Sequence, residues 1–355
     1  GCEAYFLPSV AEWQEDYDRI REETKKKSQL NSELSGATVE SEGESKKAIK
    51  NILNRRRHLV LLAMNQTGLN NLFKLISESY RSENFYRYPR IDYSLLEKYS
   101  EGVIASSACL GGVYAGNYWE NRDDGEEAVL EAMRETTRRM VDIFGDRWFA
   151  ELQWNSVPEQ HDLNKYIIKM HEEFGVELIS TADSHYPDPD AWKDRELYKR
   201  LGWLGRGTPD WMEDTSLPPG VEEIGYELYP KNGDQMWASF KQYAATANET
   251  YDEDMVLKSI TNTHDIAMNR IEDFEPDTTV RLPDFVVPEG ATATQALTRL
   301  AINGLRDLGL QEKENYLRRL KMELGVIDDR GFSKYFLTMK ALSLIHISEP
   351  TRLRR

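Results

Sequence analysis

Residues 58–80 read HLVLLAMNQTGLNNLFKLISESY, a short apolar run followed by apolar residues at helical spacing, and the repetition of this pattern decides the fold. His58 to Ala63 predicts a strand, and Leu69, Leu72, Phe73, Ile76 and Tyr80 predict the inner face of a helix. The pattern recurs three times. VIASSA (103–108) precedes a helix on which Val129, Met133, Met140 and Ile143 share a face. WFAELQW (148–154) precedes another with Leu163, Ile167, Met170 and Phe174, and ELIST (177–181) precedes one around Ala191 to Leu201. Four strand-then-helix units in succession argue for an α/β fold with parallel strands, because a parallel neighbour needs a crossover and the usual crossover is a helix. A (β/α) barrel and an open doubly wound sheet both satisfy the pattern.

Outward from this block the signals change. GCEAYF (1–6) reads as the end of a strand without an initiator methionine, which leads us to expect upstream sequence; Trp13, Tyr17 and Ile20 then mark an amphipathic helix ending near Lys27. Ser28 to Ser45 is rich in Ser, Glu, Asn and Gly and is expected to be a disordered surface insertion. Lys46 to Arg57 holds six basic residues, more simply a solvated helix face than a phosphate-binding patch. Beyond ELIST, Gly202 to Pro230 reads as a long loop, helices are expected at about 233–248 and 256–269, and RLPDFVVPEG (281–290) is an extended, proline-punctuated stretch. Helices resume at about 294–308 and 315–324, so a second domain is expected from about residue 276 to 341. LSLIHISEPTR (342–352) resembles a translated sequencing adapter, and 342–355 is therefore set outside the fold reading.

Composition bounds the function. A chain of 355 residues holds about two domains at roughly 150 residues each. No run approaches the roughly 18 apolar residues of a membrane span, and GCEAYFLPSV (1–10) lacks the charged-then-apolar order of a signal peptide, so a cytoplasmic protein without a membrane partner is expected. Cys2 and Cys109 are too far apart in sequence for a Cys-x-x-Cys zinc site. A net charge of −16 argues against a module that simply coats phosphates, so any nucleic-acid contact must be local or metal-assisted.

The chemistry-bearing residues gather at strand ends. In STADSHY, Asp183 and His185 sit two apart after ELIST, where an extended segment would present carboxylate and imidazole together. Cys109 holds the same station after VIASSA, beside Gly111 and Gly112, which permit close backbone approach. Glu3 lies in the first run. Converging, these groups would form a mixed nitrogen, oxygen and sulfur site for zinc, manganese or iron. Each also has a plainer reading: the cysteine as a small buried hydrophobe, the Asp-x-His as a turn or cap. His161, His171 and His264 are expected to face solvent on helices.

GCEAY, HLVLLAMNQTGLNNL, FYRYPRID, SEGVIASSACLGG, FAELQ, STADSHY, RLPDFVVPEG and YLRRLKMELGVID with GFSKYFL together resemble, in order and spacing, the bacterial replicative DNA polymerase III alpha subunits, from Gly1 to about Ala341. The resemblance implies that residues 1–275 form a PHP domain, a distorted (β/α)7 barrel truncated at its N-terminus, and that 276–341 begin the polymerase palm. It implies a metal cluster in which Glu3, His58, Cys109, Asp183 and His185 match the last five ligand positions, the earlier ones falling upstream of Gly1. His58 fits least well, because parallel strands would put it at the opposite end from Cys109 and Asp183.

The implied chemistry is metal-dependent phosphodiester hydrolysis, as in a 3′–5′ exonuclease. In the parent protein the resemblance implies magnesium-dependent DNA synthesis on primer-template DNA from dNTPs, with a sliding clamp, a clamp loader and a proofreading subunit as partners. The family's polymerase aspartates follow the YFL motif and are not in this sequence, so no synthesis is expected from this polypeptide. A stand-alone PHP-type phosphoesterase and a non-catalytic PHP scaffold remain open; the palm-like motifs count against the first and the retained ligand residues against the second.

Overall fold

All four apolar runs become strands, and their residues alternate between two buried faces of one sheet. The computed structural model describes residues 1–33, 52, 55–203, 227–279, 284–287 and 289–348. These fall into two units, Gly1–Pro276 and Asp277–Arg355.

The first unit is a mixed α/β structure. Its strands are β1 (Cys2–Phe6), β2 (Arg57–Ala63), the short hairpin β3 (Phe85–Tyr86) and β4 (Tyr88–Pro89), then β5 (Val103–Ser106), β6 (Trp148–Gln153) and β7 (Glu177–Thr181). Its helices are α1 (Val10–Glu33), α2 (Gln66–Ser79), α3 (Tyr93–Tyr99), α4 (Val113–Asn121), α5 (Glu126–Phe144), α6 (Pro158–Phe174), α7 (Trp192–Trp203), α8 (Gly233–Ala247) and α9 (Glu253–Asp265). Among the described residues the main sheet has five strands in the order β1-β2-β5-β6-β7, with no pairing between β7 and β1.

The expectation of parallel strands holds for only part of this sheet. β5, β6 and β7 are parallel, each joined to the next through a helical crossover, but β2 is antiparallel to both β1 and β5. The reason lies in the connection. Between β2 and β5 the chain forms two helices, α2 and α3, so it re-enters the sheet where it left, and Ala63 pairs with Val103. A single helix would have carried it back to the opposite end.

The outward face of the sheet carries Leu59, Leu61, Val103, Ala105, Trp148, Ala150, Leu152 and Leu178, packed with Leu72, Met133, Met140, Leu163, Ile167 and Met170 from the helices. Each of the Val, Leu, Ile and Met side chains among these contributes about 1.5–3 kcal/mol on burial. The expected faces of α5 and α6 are these buried faces. Helix α2 differs: Gly68, Asn71, Leu72, Leu75 and Ser79 turn inward, while Phe73 and Tyr80 are 54% and 61% exposed. The Asn71 amide donates to the Glu101 carbonyl at 2.9 Å, so the helix seats a polar residue against the sheet where an apolar count would not place one. Ile104, Phe149, Ile179 and Ile266 form a smaller cluster on the inward face.

Helix α1 continues to Glu33, six residues past the expected end at Lys27; the remainder of the expected insertion, 34–45, and most of the basic stretch lie outside the described residues. The same is true of 204–226 in the expected long loop and of 280–283 and 288 in the extended stretch.

The second unit contains helices α10 (Ala293–Asp307), α11 (Glu314–Asp329) and α12 (Ser333–Ser348). Thr292 caps α10 in a reciprocal box with Gln295, and the Thr294 and Ser333 hydroxyls lie 3.1 Å apart, joining α10 to the start of α12. Helix α12 runs through Leu342 to Ser348 of the adapter-like segment, since no glycine or proline interrupts it before Pro350. Residues 349–355 lie outside the described residues.

Candidate functional site

The antiparallel direction of β2 assembles the candidate site. Because β2 runs against β5, its first residues lie beside the last residues of β5, and His58 falls next to the turn that carries Cys109. The His58 amide donates to the Gly111 carbonyl at 2.8 Å, and the His58 Nδ1 lies 3.7 Å from the Cys109 Sγ. Register does the same for Glu3. It pairs with Val60, so its side chain shares a sheet face with Val60 and His58, and the Glu3 carboxylate accepts from His58 Nδ1. The bond from His58 is the main reason the Glu3 carboxyl is held below the usual carboxylate range, and the positive potential of His58 and His185 adds to it.

The turn after β5 is tightly built. Ala108 adopts a left-handed backbone (φ 59°), an uncommon state for a residue with a Cβ. Gly112 has an ordinary extended backbone, yet a Cβ there would lie 2.0 Å from the Ser107 carbonyl oxygen, so the close approach expected of the glycine pair is a real requirement. The Gly111 amide donates to the Cys109 Sγ at 3.4 Å. Burial pushes the Cys109 thiol up to about 12, with the negative field of Asp183, Glu3 and Glu151 adding to it.

After β7 the chain is not extended, as the Asp-x-His reading supposed. Asp183 is also left-handed (φ 46°), which an aspartate tolerates better than most residues. Its carboxylate faces the cavity, whereas the His185 ring turns back so that Nδ1 lies 2.5 Å from the Asp183 carbonyl and 3.9 Å from its carboxylate. The His185 amide donates to the Leu228 carbonyl at 2.8 Å.

These strand ends surround a cavity of about 360 Å³. Val60, Leu62, Ile179 and Ile266 supply apolar walls, and Glu3, Cys109, Glu151 and Asp183 supply three carboxyls and a thiol; no Lys or Arg is among the described lining residues. Such a donor set suits a divalent cation in chemistry. As placed, Glu3 pairs with His58 and Glu151 is engaged by Ser106, Ala108 and Thr181, and among the described residues no three His, Cys, Asp or Glu are grouped so as to hold one ion.

Sequence reasoning missed Glu151. It lies at the middle of β6, 4% exposed, and accepts hydrogen bonds from the Ser106 hydroxyl, the Ala108 amide (3.2 Å) and the Thr181 hydroxyl (2.5 Å). Burial raises its carboxyl above the ordinary range against the lowering effect of these bonds. The signal was a lone acidic residue inside the apolar run WFAELQW. His161 corrects the opposite error. It is 2% exposed, its Nε2 donating to the Asn155 carbonyl at 2.9 Å and its Nδ1 accepting from the Tyr251 hydroxyl at 2.8 Å. Packing of Tyr251 over α6, far along the sequence, buries a face that looked polar. His171 is half-buried, with Nδ1 donating to the Val176 carbonyl at 2.8 Å, and His264 is exposed as expected.

Comparison with known proteins gives the lineage. Residues 1–155 match the family model described as PHP domain. DNA polymerase III subunit alpha of Aquifex aeolicus is 35% identical over 292 residues, 80% of this chain and 23% of that protein. The subunit of Borreliella burgdorferi is 32% identical over 285 residues, 79% of this chain and 22% of that protein, and that of Thermus aquaticus 31% over 277 residues, 77% and 21%. The chain thus spans less than a quarter of the length of these relatives. Among the described residues no helix is long and apolar enough to cross a membrane. By order of motifs, family model and relatives, the chain belongs to the DNA polymerase III alpha-subunit family and carries its PHP domain.

Proposed function

We propose that the cavity at the ends of β5, β6 and β7 is a divalent-metal site for phosphodiester hydrolysis, of the 3′–5′ exonuclease type, within a DNA polymerase III alpha subunit. The observation that carries this reading is the lining: three carboxyls and a thiol, with no Lys or Arg among the described lining residues, a set of oxygen and sulfur donors suited to a divalent cation. Glu3, His58, Cys109, Asp183 and His185 would hold zinc, manganese or iron. Bound cations supply polarisation of phosphoryl oxygens and a hydroxide from water near neutral pH. The chain's own part is to fix these donors through the tight turns at Ala108 and Asp183, and to wall the cavity with Val60, Leu62, Ile179 and Ile266.

On this reading residues 1–275 belong to the PHP barrel, to which the five-stranded sheet contributes, and 276–341 to the start of the palm. Template-directed synthesis with magnesium, dNTPs, primer-template DNA and replisome partners belongs to the whole subunit.

The test is release of 3′-terminal nucleotides from single-stranded DNA with manganese or zinc supplied. Hydrolysis abolished by chelator and by Asp183→Asn supports the reading. A second reading, a packing scaffold without catalysis, is favoured by the mutual satisfaction of Glu3 and His58. Hydrolysis absent at every metal supplied would choose it.

A further inference from the structure

We infer that Glu151 is a positioning residue, a clamp that sets the Cys109-bearing and Asp183-bearing turns relative to each other. The geometry is specific. From β6, which lies between β5 and β7, one carboxyl oxygen of Glu151 takes the Ser106 hydroxyl and the Ala108 amide at the end of β5, and the other takes the Thr181 hydroxyl at the end of β7. Ala108 precedes Cys109 directly, and Thr181 lies two residues before Asp183. Both anchored segments open into left-handed residues, Ala108 and Asp183, backbone states that persist only where surroundings impose them. The Glu151 amide donates to the Ser107 hydroxyl at 2.9 Å, and Gln153 Nε2 donates to Thr181 at 3.2 Å, so the strand end is held from both sides.

The engagement of both carboxyl oxygens by protein donors favours a positioning role over catalysis: three donors converge on it, two on one oxygen and one on the other. Reach, not charge, is what a clamp requires. A glutamine keeps the reach: its carbonyl can face the Ala108 amide, and its NH2 can donate to Thr181 once that hydroxyl rotates. An aspartate keeps the charge but is one methylene short of spanning the two strands.

The experiment uses this chain with Cys2→Ser, which leaves Cys109 as its single thiol, and follows iodoacetamide alkylation of the folded protein. Glu151→Asp is expected to speed alkylation at least about fivefold, as the turn opens locally, and Glu151→Gln to stay within about twofold of the parent rate. Acceleration confined to Glu151→Gln, equal acceleration in both variants, or none in either would overturn the clamp. If near-UV circular dichroism shows Glu151→Asp unfolded, Ser106→Ala with Thr181→Val replaces it. That pair removes two of the three donors, with the same acceleration expected and a parent-like rate overturning the clamp.

The importance of the clamp for metal chemistry rests on the reading proposed above, and a cobalt(II) titration separates the two. A near-ultraviolet thiolate-to-cobalt band is expected in the parent and in Glu151→Gln, and not in Glu151→Asp. The same band in Glu151→Asp would overturn the clamp. No band even in the parent, with alkylation rates as expected, would overturn the metal reading and leave the clamp supported.

Discussion

The His58 Nδ1 sits 3.7 Å from the Cys109 Sγ across 51 residues of sequence because β2, which begins at Arg57, runs against β5, after which Cys109 follows. Strand direction thus decides which residues meet. A parallel β2 would have placed His58 at the far end of the sheet, away from Cys109.

This contact depends on the backbone packing beneath it. Replacing Gly112 by alanine would set a Cβ 2.0 Å from the Ser107 carbonyl oxygen and 2.9 Å from that of Cys109. Overpacking against backbone of this kind costs about 1–3 kcal/mol. Urea unfolding should show that loss for Gly112→Ala, and an unchanged midpoint would contradict the packing described.

The Cys109 thiol, pushed up to about 12 by burial and neighbouring carboxylates, is expected to react slowly at neutral pH. In metal-free protein its alkylation rate should keep rising beyond pH 10. A free thiol would level off near the ordinary value of 9.0. A plateau near pH 9 would show an exposed thiol instead.

His161 gives a signed prediction for stability. Burial lowers its folded-state value below 6.5. Above pH 6.5 the ring is neutral whether the chain is folded or unfolded, so nothing is lost. As pH falls below 6.5 the unfolded chain takes up a proton that the folded chain refuses, and stability declines. His161→Ala should lack this component of the acid slope. It should also lose about 1–3 kcal/mol at pH 8, because the Asn155 carbonyl is left without its donor. Denaturant curves at pH 8 and pH 5.5 measure both effects.

Asp92 joins two helices. One carboxyl oxygen caps α3 at the Leu95 amide (3.1 Å), and the other accepts from the Val10 amide at the start of α1 (3.2 Å). Asp92→Ala should therefore cost about 0.5–2 kcal/mol, toward the upper end since two helix starts share the cap. Thermal unfolding checks it.

The elements were legible in the sequence because an apolar run and a helical stripe each have their own period. Direction has none. HLVLLA reads the same whether β2 is parallel or antiparallel, and the reversal depends on the short helix Tyr93–Tyr99, which the motif FYRYPRID and the residues after it do not announce. At the site, Cys109, Asp183 and His185 could be found from their station after strands and Glu3 from its place in the first run, and His58 only through resemblance. Glu151 stayed hidden because its partners, Ser106, Ala108 and Thr181, are brought to it by strand pairing and carry no distinctive chemistry of their own.

The central claim is that the acidic cavity holds a divalent cation, and metal stoichiometry tests it most directly. This chain and Asp183→Asn would be dialysed against zinc or manganese and assayed by elemental mass spectrometry. Asparagine is chosen because it tolerates the left-handed backbone at this position while removing the charge. The account predicts at least about one equivalent in the parent chain, with affinity at least about tenfold weaker in Asp183→Asn. No bound metal in the parent, or equal binding in Asp183→Asn, would contradict it.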